Sequence, residues 1–285
     1  MGNVFETFER KHDFLVCVDS DGCAMDTMNC KHIQCFGPCM VSEWGLEQWA
    51  EDILTRWNEI NLFQMTRGIN RFKGLALALN EINDRYVKIP GVQALEAWVV
   101  NAPALSNDGV KKAADEAADP GAKECFEKAL AWSKAVNASI NMLPEEIKLP
   151  YAGAREGLAA AKQFADVAIV SSANRDAVEE EWEKHGLLEH VDILLAQDCG
   201  SKAHCIAEML KFGYAPDHVL MVGDAPGDCD AAEKNGVWYY PILVNSEQES
   251  WIELRESGLD RLKNLTFGGE YQQAKKRAFL ENLGG

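Results

Sequence analysis

No apolar run in this chain is long enough to span a membrane, and its first residues, Met1 to Lys11, are polar and charged, unlike a secretory leader. Positive charge is scarce: 28 Lys and Arg stand against 45 Asp and Glu, a net charge of -17. An acidic surface of this kind repels phosphate backbones and anionic lipid at long range, which argues against nucleic-acid and membrane partners. Internal repeats and low-complexity tracts are absent. The 9 cysteines are odd in number, include no C-x-x-C pair, and sit in a chain too long for a disulfide-stapled miniprotein. That usage points to reduced thiols in a soluble, cytoplasmic protein.

What is present is a 285-residue chain with 47% hydrophobic and 26% charged residues, enough for an α/β core and a smaller accessory domain. Phe14 to Val18 is a short apolar run ending in Asp19, as suits a strand buried on both faces. Similar runs follow at Val167 to Val170, Ile193 to Ala196 and Val219 to Val222. Val237 to Val244 is a fifth candidate, demoted to an edge by Pro241. Helical periods fill the intervals: Ala154 to Ala165, Asp176 to Leu188, Lys202 to Phe212, and Asp228 to Asn235 with Gly236 as its C-cap. Alternating strand and helix predict a parallel sheet with helices on both faces, a three-layer α/β/α Rossmann-like core.

Residues 28–149 read differently. Leu46, Ala50, Ile53, Trp57 and Ile60 recur at helical spacing, as do Phe72, Leu75, Leu79 and Ile82, and then Phe126, Leu130, Val136 and Ile140. An all-α domain of roughly 120 residues therefore interrupts the core after its first strand. The expected domains are a discontinuous core, 1–27 with 150–285, and a helical insertion, 28–149.

In an open parallel sheet, ligands gather at the carboxyl ends of the strands. Asp19-Ser20-Asp21-Gly22-Cys23 follows the first strand, Ser171-Ser172-Ala173-Asn174 the second, and Gly223-Asp224-Ala225-Pro226-Gly227-Asp228 the fourth run. Asp19, Asp21, Asp224 and Asp228 would thus converge on one edge. So many carboxylates repel one another unless a cation holds them, and an all-oxygen set suits a hard ion such as Mg²⁺.

This arrangement resembles the haloacid dehalogenase superfamily. Asp19-x-Asp21-Gly22 looks like its first motif, Ser171 its second, Lys202 (22 residues before Asp224) its third, and Gly223-Asp224-x-x-x-Asp228 its fourth. The helical block resembles the cap that many members insert after the first motif, and the resemblance implies a site between cap and core. It also implies that Asp19 attacks phosphorus and carries the phosphoryl group, while Asp21 serves as acid and base. Ser171 and Lys202 would hold phosphoryl oxygens, with backbone N–H groups at Gly22 and Cys23 adding to the cradle. Mg²⁺ would be bound by Asp19, the backbone carbonyl of Asp21 and Asp224, with Asp228 acting behind them or through water. Two positions depart from the usual pattern: Cys23 stands where threonine is usual, and Ala203 where proline is frequent, which leaves Lys211 as the alternative lysine. Asp21 favours phosphate-ester chemistry over dehalogenation or phosphonate cleavage.

The implied activity is a Mg²⁺-dependent phosphatase for a small phosphorylated metabolite. A phosphomutase of the β-phosphoglucomutase type and a non-catalytic phospho-ligand binding protein are the alternatives. Weaker signals stay open. Cys23, Cys30, Cys35 and Cys39 are either a metal site or free thiols. Thr66 to Lys73 is either a substrate-binding patch led by Arg67 or a solvated helix start. Ser172, Asn174 and Arg175 either touch substrate or start the next helix. Trp44 is a candidate substrate wall.

Overall fold

A computed structural model describes residues 4–285. The chain forms two compact units, one of residues 1–28 and 145–285, the other of residues 29–144.

The first unit is the α/β core. Its strands are β1 (Phe14–Val18), β2 (Ala165–Val170), β3 (Ile193–Leu195), β4 (Val219–Gly223) and β5 (Trp238–Pro241). They form one five-stranded sheet of order β3-β2-β1-β4-β5, and every pairing is parallel. The period of two along a strand assigns alternate residues to opposite faces. Val16, Val18, Val167, Ile169, Leu220 and Val222 face one apolar cluster, which takes Leu158, Trp182, Trp251 and Leu262 from helical segments on that side. Leu15, Cys17, Ala168, Val170, Val219 and Met221 face another, built with Ile206, Met209, Ala232 and Phe279. Sheet and flanking helices make the three layers expected from the sequence.

β1 is central. The chain runs from β1 outward to β2 and β3, then returns to β4 on the other side of β1. Strand order therefore reverses between β1 and β4, and in open α/β sheets ligands bind outside the carboxyl ends at such a point. β5 is an edge strand ending at Pro241, as the proline suggested. Its exposed backbone is covered by the last helix, Glu270–Asn282. The Gln272 side-chain amide bonds both the N–H (2.9 Å) and the carbonyl (3.0 Å) of Tyr239. Asn282 does the same to Val244, at 2.9 and 3.0 Å. An edge closed in this way offers no template for a further strand.

The core resumes at Glu145, earlier than the Pro150 expected from the sequence. Glu145 is ion-paired to Lys148 (2.5 Å) and to Lys184 (3.0 Å), the latter on a core helix. Leu149 to Tyr151 then pairs with Ala24 to Asp26: the Asp26 N–H donates to the Leu149 carbonyl at 2.8 Å, and the Tyr151 N–H to the Ala24 carbonyl at 2.9 Å.

The second unit is all helical. Its main helices are Gly37–Trp44, Ala50–Asn58, Arg71–Arg85, Val92–Asn101, Asn107–Glu116 and Pro120–Asn141. They enclose a core of their own around Phe36, Trp57, Phe72, Leu79, Phe126 and Trp132. The Trp132 ring meets Trp57 and Phe72 edge-on at 6.1 and 6.2 Å, and its indole N–H donates to the Phe36 carbonyl at 3.1 Å. A π-helical turn, Glu59–Phe63, follows the second helix. Among the described residues no helix is long and apolar enough to cross a membrane.

Candidate active site

β1 delivers Asp19 to the carboxyl edge of the sheet. Its N–H continues the ladder to the Val222 carbonyl at 3.0 Å, which fixes it beside the end of β4. One residue past β4 lies Asp224, and Asp228 enters from the first turn of the helix Pro226–Asn235. A carboxylate oxygen from each of Asp19, Asp224 and Asp228 falls within 4.8 Å of the others, and all three residues are buried. This is the only such grouping of His, Cys, Asp or Glu among the described residues.

Asp228 is held by its helix start: one oxygen accepts the Ala225 N–H at 3.1 Å, and Pro226 fills the first helical position, where no N–H is needed. Its approach depends on Gly223, because a Cβ at that position would lie 2.3 Å from the Asp228 carboxyl carbon. Glycine is required there by contact. At Gly22 it is required by conformation, since φ is 84° where β1 gives way to a loop.

Lys202 opens the helix Lys202–Leu210, which follows β3. Its ammonium lies 2.8 Å from Asp19 and 2.5 Å from Asp228. Lys211, the alternative lysine, is exposed and paired with Glu208 at 2.5 Å. Burial lowers the Lys202 pKa, but the charges of Asp19 and Asp228 outweigh burial and raise it above its ordinary value, so the side chain is cationic. For Asp19 the balance runs the other way. Burial pushes its carboxyl well above the usual range, Asp228 and Asp224 add to the rise, and Lys202 only partly opposes it. A further cation among the three carboxylates would oppose that rise.

Asp21 is half-buried, and its carboxylate accepts the Thr27 hydroxyl. Ser171 stands at the end of β2, buried, with its N–H donating to Leu195 at 2.9 Å and its hydroxyl accepting the Ala173 N–H at 3.1 Å. Ser172 is exposed. Asn174 is the N-cap of the helix Arg175–Lys184, accepting the Asp176 N–H at 3.0 Å. Arg175 forms a two-point pair with Asp198 at 2.8 and 3.0 Å. The Gly22 N–H donates to Met25 at 2.8 Å and the Cys23 N–H to Ser20 at 3.3 Å, so both already have internal acceptors. Cys23 is fully buried: its thiol donates to Val222 at 3.5 Å, and its carbonyl accepts the Trp251 indole N–H at 2.9 Å. Burial first, then the three site carboxylates, push its thiol pKa well up.

Two supports were not visible in the sequence. The Trp182 indole N–H donates to the Ser20 hydroxyl at 2.8 Å, anchoring the loop next to Asp19. Thr27 orients Asp21 from six positions on, across a loop without periodicity. Only the hydroxyl itself signalled the second.

Arg67 lies in the helical unit. It is buried, and its guanidinium donates to the Leu62 carbonyl at 2.7 Å. The half-buried Trp44 ends the helix Gly37–Trp44 in that unit. All nine cysteines are free thiols; Cys23 belongs to the core and Cys30, Cys35 and Cys39 to the helical unit.

With this geometry in place, the chain can be set beside known proteins. Residues 106–240 match the family described as haloacid dehalogenase-like hydrolase, a span that takes in β2 to β5, Ser171, Lys202, Asp224 and Asp228. Over that span the chain is similar to the haloacid dehalogenase-like hydrolases, a class of enzymes. No curated protein matches it in sequence. Among solved structures, one from Lactobacillus delbrueckii subsp. bulgaricus, provisionally named a phosphoglycolate phosphatase, shares the fold. Its TM-score is 0.51 at 13% identity, over 91% of this chain and 100% of that one. A haloacid dehalogenase-like family hydrolase from Streptococcus pneumoniae is similar with a TM-score of 0.46 at 11% identity, over 88% and 97% of the two chains. A provisionally named β-phosphoglucomutase from Thermotoga maritima has a TM-score of 0.47 at 16% identity, over 80% and 84%.

Proposed function

We propose that this enzyme is a Mg²⁺-dependent phosphatase of a small phosphorylated metabolite, working through an aspartyl-phosphate on Asp19. One observation carries the reading: three buried carboxylates and one half-buried lysine converge at the ends of β1 and β4, where the strand order reverses.

The carboxylate triangle fits a hard divalent cation, because all its donors are oxygen and three carboxylates share one resident cation, Lys202. Asp19 and Asp224 would hold Mg²⁺, with the Asp21 carbonyl completing the protein ligands and Asp228 tying the site to its helix. Bound there, the ion supplies charge stabilisation for the phosphoryl oxygens.

The remaining chemistry belongs to the side chains. An Asp19 oxygen bonds to phosphorus as the bond to the leaving oxygen breaks, and the Asp21 carboxyl gives that oxygen its proton. Asp21, now ionised, takes a proton from water, whose oxygen attacks phosphorus and releases phosphate, regenerating the Asp19 carboxylate. Ser171 and Lys202 hold the non-bridging oxygens. The substrate is a small phosphorylated molecule, and the enzyme acts in the cytoplasm.

The test is release of phosphate from an aryl phosphate and from a panel of phosphorylated sugars and acids, with and without Mg²⁺, comparing wild type with Asp19→Asn. Mg²⁺-dependent release lost in the variant supports the reading. Release unaffected by removal of Mg²⁺, or surviving Asp19→Asn, contradicts it. Transfer to a second sugar hydroxyl in place of water would identify a mutase.

A further inference from the structure

Arg71 opens the helix Arg71–Arg85 in the second unit and is half-buried, yet no carboxylate pairs with it. That is unusual in a chain of net charge -17. Elsewhere in the unit, Arg56 pairs with Glu81 and Glu59, and Arg67 donates to a backbone carbonyl. All the acceptors of Arg71 are neutral and all are reached by one nitrogen. Its Nη1 donates to the Asn137 side-chain oxygen at 2.7 Å, the Ser133 hydroxyl at 3.1 Å and the Ser133 carbonyl at 3.4 Å.

The arrangement is held from behind. The Ser133 hydroxyl donates to the Asn107 oxygen at 2.7 Å, so its lone pairs turn to Arg71. The guanidinium carbon lies 5.0 Å from the centroid of the Phe36 ring, which His32 stacks against at 4.5 Å. Fixed through Nη1 and the ring, the guanidinium leaves its Nε and Nη2 donors without a protein acceptor, and neither is sealed from solvent. Those two parallel N–H groups are the edge that meets a carboxylate or a tetrahedral oxyanion at two points. Burial alone moves the Arg71 pKa, and it moves it down, as follows for a cation with no anion beside it.

We propose that Arg71, positioned by Ser133, Asn137 and Phe36, is the centre of an oxyanion-binding site in the helical unit, taking a small carboxylate or a tetrahedral oxyanion on its Nε–Nη2 edge. The site requires nothing of the Asp19 chemistry.

The experiment is calorimetric titration of the full chain with malonate, for carboxylates, and with sulfate, for tetrahedral anions. Wild type and Asp19→Asn bind at least one of the two equally, and the tighter one identifies the class. Arg71→Met weakens that binding about tenfold or more, the scale of a lost charge-assisted pair, and Arg71→Lys falls between. Should Arg71→Met fail to fold, wild type alone decides: the bound anion slows phenylglyoxal modification of Arg71 relative to the exposed Arg255. Wild type that binds neither anion, Arg71→Met that binds as wild type does, or modification of Arg71 indifferent to the anion overturns the proposal. Loss of phosphatase turnover in Asp19→Asn with anion binding intact would separate this site from the core reading.

Discussion

The core gathers three buried carboxylates at one point, whereas the helical unit disperses its buried polar groups. Asp19, Asp224 and Asp228 lie within 4.8 Å of one another at strand ends. In the helical unit, Asn61 bonds the Trp57 carbonyl at 2.9 Å, Arg67 the Leu62 carbonyl at 2.7 Å, and Asn83 the Ile89 N–H at 2.9 Å. Each of those completes the bonding of a nearby backbone group, as buried polar side chains ordinarily do. Like charges crowded out of water oppose folding unless another charge offsets them, so their concentration marks where chemistry is done. Arg71 is the exception in the helical unit, and it stands out by the same test.

The comparison can be broken or sharpened by substitution. The largest effect should come from Trp132→Ala, which removes the ring on which Trp57, Phe36 and Phe72 converge. We expect a loss of about 3–5 kcal/mol in denaturant unfolding, with Mg²⁺ binding by the core unchanged. Parallel loss of Mg²⁺ affinity would show that the two units do not divide structure and chemistry as described. Next is Lys202→Met, expected to lower turnover about 10²–10³-fold, since it removes the cation that contacts both Asp19 and Asp228. A tenfold or smaller loss in kcat/KM would reduce Lys202 to a structural ion pair.

Gly223→Ala sharpens the comparison inside the core. Its Cβ would meet the Asp228 side chain at 2.3–2.5 Å, so Asp228 must shift. Mg²⁺ affinity, read by calorimetry, should fall about 10–100-fold, the usual effect of disturbing a group behind the ligands. Unchanged affinity would show that Asp228 is not needed to hold the metal. The smallest expected effect is Trp182→Phe, which keeps the ring packing and deletes the bond to Ser20. About 1 kcal/mol of stability should go. No change in chemical denaturation would mean that this bond does not anchor the Asp19 loop.

The strand ends were legible because a strand buried on both faces is an unbroken apolar run, and the first polar residue after it is its carboxyl end. Asp19, Ser171 and Asp224 were found that way. Lys202 came from the family resemblance and its distance from Asp224, and only the geometry separates it from Lys211. The helices Val92–Asn101 and Asn107–Glu116 were not anticipated; each is short, and Ala102 to Ser106 between them carries a proline and no clear period. The burial of Arg67 was beyond sequence reading because residues 64–70, between the π-helical turn Glu59–Phe63 and the helix Arg71–Arg85, have no regular period. The edge cover of β5 was equally hidden, because Gln272 and Asn282 are ordinary residues of a polar helix until the strand they serve is seen beside them.

The central claim is that phosphorus becomes bonded to Asp19. The most direct measurement is rapid acid quench of the wild-type enzyme during turnover with Mg²⁺ and its best substrate, followed by peptide mapping by mass spectrometry. The account predicts one phosphoryl group on the peptide carrying Asp19, absent from Asp19→Asn. Steady turnover with no phosphoryl group on that peptide, or with the group on another residue, would contradict it.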